Sequence, residues 1–73
     1  MLKVELKRRS VYIDLEADTF PNKGGYFCRV YADNSTDFEL DSFTISSKDL
    51  AWDKNKLDKA KKIAAIKVKY LFS

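Results

Sequence analysis

A chain of 73 residues, 45% of them hydrophobic, holds one domain (residues 1–73) with one modest core, and its composition lies far from that of disordered segments. One cysteine and no histidine exclude disulfide bonds, serine and cysteine triads, histidine general bases and the common zinc sites. Charge is segregated: residues 1–9 carry four basic groups and one acidic, residues 10–53 three and nine, and residues 54–73 seven and one, so a net +3 conceals an acidic and a basic surface.

Leu2, Val4 and Leu6 alternate with Lys3, Glu5 and Lys7, and Val11, Ile13 and Leu15 alternate with Tyr12, Asp14 and Glu16. A period of two predicts strands over 2–7 and 11–16, each with one buried face. The phase changes between them, so Arg8-Arg9-Ser10 is a tight turn or a bulge, and the turn of a hairpin is expected. Asp18 to Gly25 gathers Pro, Asn and two Gly, residues that supply preset or positive φ, and reads as a connection.

Aromatic and β-branched residues predict a third strand over 26–32. After a turn at Asp33–Asp37, a fourth strand is expected over 38–45, with Phe38 and Leu40 inward and Glu39 and Asp41 outward. Ser46-Ser47-Lys48-Asp49 resembles a capping box and opens a helical segment over about 47–65, with Leu50, Leu57, Ala60 and Ala64 on one stripe and Ile63 at its margin. Asp53 interrupts that stripe and is expected to cap a second helical piece from about residue 54.

Continuing this helix to the end puts Ile66 opposite the stripe, among Lys59, Lys62 and Lys69. Read instead as a strand, Ile66, Val68, Tyr70 and Phe72 alternate with Lys67, Lys69 and Leu71. The expected architecture is therefore α+β, a small antiparallel sheet in the order ββββαβ with its last strand over 66–72; an all-helical C-terminus is the alternative.

No cluster of residues announces catalysis. The two glycines sit in a turn rather than in a phosphate-cradling loop, and Asp14, Glu16, Glu39 and Asp41 fall on an exposed face, where nothing raises a carboxyl pKa for general-acid work. Asp33 to Glu39 has oxygen side chains at alternate positions, but Phe38 occupies the place where a calcium loop needs Gly, and the twelfth-position Glu is missing. Cys28, in phase with Val30, is expected to be an inert core thiol. Arg8-Arg9-Ser10 is too short to specify a kinase or targeting motif. Neither a metal nor a cofactor is expected.

Two surfaces remain. With Val11, Ile13, Leu15, Cys28, Val30, Phe38 and Leu40 turned to the helix, Tyr12, Asp14, Glu16, Phe27, Arg29, Tyr31, Glu39 and Asp41 share the opposite face. Rigid aromatic anchors among carboxylates suit a protein partner with a basic surface, and the same carboxylates repel nucleic-acid phosphates. The second surface is Lys54, Lys56, Lys59, Lys61, Lys62, Lys67 and Lys69, charges without the bidentate fork of arginine.

The leading expectation is a small non-enzymatic binding protein that regulates or inhibits a protein or nucleoprotein partner by occupying its surface. Small accessory proteins of phages and mobile elements share that layout. The alternative is a nucleic-acid-binding domain using the lysine-rich C-terminal region. Charges interrupt every apolar stretch, Met1 to Glu5 lacks the apolar run of a signal peptide, and Cys28 has no pairing partner, so a cytoplasmic protein without a membrane anchor is expected.

Overall fold

The computed structural model describes residues 1–72. Four antiparallel strands, β1 (Leu2–Glu5), β2 (Ser10–Ala17), β3 (Tyr26–Tyr31) and β4 (Glu39–Ile45), pair in sequence order and are followed by a short helix α1 (Ser47–Leu50) and a long helix α2 (Lys56–Phe72). The fold is a small α+β layer pair, one sheet with a helix across one face. No helix is long and apolar enough to cross a membrane among the described residues.

Side-chain alternation decides which face the helix covers. Val4 stands opposite Val11, Ile13 opposite Val30, and Leu15 opposite Cys28. Directly opposed residues project to one side of an antiparallel sheet, so the apolar set of each strand falls on a common inner face. Val4, Val11, Ile13, Cys28, Val30, Ile45, Leu50, Ala60, Ala64 and Val68 are buried together there, with Leu2, Leu6, Leu15 and Phe43 half-buried around them. The β1–β2 reversal is tighter than expected: Leu6 N–H donates to the Arg9 carbonyl at 2.7 Å, so Lys7 and Arg8 form the bend rather than Arg8 to Ser10.

Two elements differ from the sequence expectation. Residues 66–72 are not a fifth strand but the last two turns of α2. Ala60, Ala64 and Val68, four residues apart, form the buried stripe, and Ile66 and Tyr70 project outward with 69% and 84% of their surface exposed. A single outward isoleucine costs little, whereas a helix of 17 residues, about 25 Å long, is needed to span an inner face whose longest strand measures about 26 Å. The helix lies beside β1 and runs in the same direction, with Leu57 near Leu2, Ala65 and Lys69 along Leu2 to Glu5, and Phe72 near Leu6 and Arg9.

The other difference lies in β4. Its register slips between Val30 and Tyr31: Val30 pairs with Asp41 and Tyr31 with Glu39, so Leu40 is the extra residue of a bulge. Phe38 and Leu40, expected inside, are 70% and 38% exposed. Phe43 and Ile45 take the inner positions instead, opposite Cys28 and Tyr26.

Local hydrogen bonds hold the joints. Ser46 caps α1, its hydroxyl accepting from Lys48 N–H at 3.2 Å. Asn55, not Asp53, caps α2: its Oδ1 accepts from Asp58 N–H at 3.2 Å and its Nδ2 donates to the Asp58 carboxylate at 3.0 Å, a reciprocal pair at the N-cap and third helical positions. Asn22 ties the β2–β3 connection to the start of α1, donating to the Ile45 carbonyl and accepting from Ser47 N–H. Gly25 is required there, because a Cβ would collide with the Ile45 carbonyl oxygen and the Asn22 amide.

Candidate functional site

Among the described residues no helix covers the outer face of the sheet, and alternation places its residues in rows. Lys3, Tyr12, Tyr31 and Glu39 form one row, Asp14, Arg29 and Ser42 the next, and Glu16, Phe27 and Thr44 a third. Seven of the eight residues expected on this face are therefore brought together: Tyr12, Asp14, Glu16, Phe27, Arg29, Tyr31 and Glu39. Asp41 is not among them. The bulge at Leu40 shifts its phase, so it pairs with Val30 on the helix side of the sheet.

Arg29 organises the centre of the face. It forms an ion pair with Glu16 at 2.8 Å, approaches Glu39 at 3.7 Å, and its guanidinium lies 4.7 Å from the centroid of the Phe27 ring. The Glu16 hydrogen bond, followed by the nearby negative charges, holds its pKa above the ordinary arginine value. Two of the carboxylates are thus partly neutralised, and a cation lies over the Phe27 ring. Asp14 has no hydrogen bond or ion pair to a described residue, so its charge remains available. Phe27, Tyr12 and Tyr31 are half-buried in adjacent rows.

The lysine set does not converge in the same way. Lys54, Lys56, Lys59, Lys61, Lys62, Lys67 and Lys69 are all exposed, but they surround α2. Lys59, Lys62 and Lys69 share the outward side with Ile66, Lys61 and Lys69 also border the β1 side, and Lys67 leans toward β4 with its ammonium 4.8 Å from the Phe43 ring centroid. A helix ringed with cations is well solvated and offers no single concentrated patch.

Cys28 lies fully buried on the inner face, where burial pushes its thiol up to about 11, against a smaller opposing effect of Lys67. It is a core residue, not a nucleophile. The Asp33 carboxylate accepts from the Ser35 hydroxyl and from Ser35 N–H, bonds that lower its pKa, while Thr36 adopts φ 62°. Those bonds make this segment a hairpin turn held by its own side chains. Among the described residues no group of three or more Cys, Asp or Glu side chains is placed to hold a metal ion.

Sequence reasoning missed Lys3, Ser42 and Thr44 as members of the outer face, and it missed the exposed aromatics Phe20 and Trp52. Lys3 was legible in the alternation of the first strand, whereas Ser42 and Thr44 required the bulge to set their phase. Phe20 sits in the β2–β3 connection and Trp52 between α1 and α2, 89% and 98% exposed. A large aromatic in a polar, turn-rich stretch, off any core periodicity, is the signal that would have found them. Comparison with protein-family models, with curated proteins and with solved structures finds no match.

Proposed function

We propose that this chain is a small non-enzymatic binding protein that regulates or inhibits a basic protein or nucleoprotein partner by covering part of its surface, and that it works in the cytoplasm. The observation that carries the reading is the open outer face of the sheet, where Tyr12, Phe27 and Tyr31 stand among Asp14, Glu16 and Glu39 on rigid strands. Rings held by neighbouring rows lose little conformational freedom on binding, which is what makes aromatic anchors effective at interfaces. The unpaired Asp14 supplies charge for a basic partner, and Arg29, already engaged by Glu16 and Glu39, keeps the Phe27 ring in place.

Phe27 and Tyr31 are the anchors to test. With the partner purified by pull-down and identified, Phe27→Ala and Tyr31→Ala should each lower its affinity at least about thirtyfold, roughly 2 kcal/mol, while the circular dichroism spectrum stays that of the wild type. Neutralising Lys59, Lys61 and Lys62 together should leave affinity near the wild-type value. The reverse pattern would transfer the function to nucleic acid through the lysines of α2.

A further inference from the structure

The edges of a sheet carry main-chain groups that need partners, and the two edges of this one are not alike. Leu6 N–H donates to the Arg9 carbonyl, and the same register makes Val4–Val11 and Leu2–Ile13 the hydrogen-bonded pairs of β1 and β2. The N–H and C=O groups of Lys3 and Glu5 therefore point away from the sheet, and no described residue pairs with them. On the far edge, Asp18 N–H donates to the Gly25 carbonyl, and the alternation carried across β3 leaves Ser42 N–H and Thr44 N–H pointing out of β4. Ser42 N–H is already taken by the Asp41 carboxylate at 2.8 Å, and the bulge at Leu40 bends the edge.

The β1 edge lies open along a groove of about 470 Å³ between the strand and α2, lined by Leu2, Val4, Ala65 and Lys69 among others. The helix presents the small side chain of Ala65 to this groove, and Lys69 at its border is exposed.

We propose that β1 pairs antiparallel with β1 of a second copy of this chain, about a twofold axis at Val4, to form a continuous eight-stranded sheet. The sequence Leu2-Lys3-Val4-Glu5-Leu6 reads the same in polarity and opposite in charge when reversed. In the register centred on Val4, Lys3 of each copy faces Glu5 of the other, Leu2 faces Leu6, and Val4 faces Val4. Lys3 and Glu5 are also the residues whose main-chain groups point outward, so the register that pairs unlike charges is the one that completes the hydrogen bonds.

Sliding by two residues in one direction sets Lys3 against Lys3, and in the other sets Glu5 against Glu5 and Lys3 against Lys7. Both are repulsive. Opposed residues share a side, so both α2 helices lie on the same face and both outer faces remain open, which doubles the surface proposed for partner binding.

Analytical ultracentrifugation tests this, with wild type expected to shift from 8.5 kDa to twice that mass as concentration rises toward about 1 mM, the range of a weak dimer. Lys3→Glu and Glu5→Lys, both at exposed positions, should fold yet each remain at 8.5 kDa. An equimolar mixture of the two should regain the doubled mass, because Glu at position 3 then meets Lys at position 5 in the other chain. The Lys3 and Glu5 amides of wild type should also gain exchange protection as the mass doubles. A wild type that stays monomeric up to that concentration overturns the proposal and leaves the edge to an extended segment of another protein. So does a dimer that both reversals leave intact, or a mixture that fails to associate.

Discussion

Ile13 is fully buried between Val30 on β3 and Leu2 on β1, while its neighbour Tyr12 faces outward beside Tyr31. Ile13→Asp buries an unpaired carboxylate at a cost of several kcal/mol, comparable with the roughly 5 to 15 kcal/mol that stabilises a whole domain, and should unfold the protein. Tyr12→Ser should leave a cooperative urea transition. Cys28 adds a pH dependence whose sign follows from burial. Its folded pKa of about 11 lies above the ordinary 9.0, so the stabilisation is fully present below pH 9 and is lost as pH rises toward 11. The unfolding free energy from urea titrations should fall across that window by up to about 2 to 3 kcal/mol, and Cys28→Ala should show a smaller fall than wild type. At this scale the chain was readable: alternation alone placed Val11, Ile13, Cys28 and Val30 inside, because a two-residue period leaves no other way to bury both strands.

At the scale of elements, α2 rests on a cap and a stripe. Asn55→Ala should cost about 0.5 to 2 kcal/mol in thermal or urea unfolding, whereas Asp53→Ala should change little, since Asp53 makes no capping bond. Ile66→Gln should stay within about 0.5 kcal/mol of wild type, and Val68→Asp should unfold the domain, because one side chain faces solvent and the other the core. If residues 66–72 formed a strand, these two substitutions, both at its inward positions, would behave alike. The last turns of α2 were the least legible element in the sequence. Lysines alternate with apolar residues there in a way that fits either period, and what decides is the length of inner face the helix must cover. The bulge in β4 escaped for a related reason: one unpaired residue reverses the phase of everything before it, and no turn residue marks Leu40.

For the whole molecule, the two charged regions of the chain become two sides of one layer pair, an aromatic and acidic sheet face and a helix ringed with lysines. Association with a basic partner should slow as salt rises, since the Debye length falls from about 30 Å at 0.01 M to about 8 Å at 0.15 M. Asp14→Asn should lower the association rate measured by stopped flow, because that carboxylate is not engaged by Arg29, whereas Asp41→Asn should not, because Asp41 lies on the helix side. Equal effects of the two would show that steering comes from net charge rather than from the outer face.

By itself the sequence determined the class of fold, the inner face of the first three strands and seven of the eight residues on the outer face, since each follows from local periodicity and from which side chains water excludes. It also determined the segregation of charge. Only the tertiary structure decided the course of residues 66–72, the phase of Asp41 and Phe38, the scattering of the lysines around α2, and the placement of Arg29 between Glu16 and Glu39. Each of these depends on register and on how much surface one element must cover on another, and both are set by pairing between residues distant in the chain.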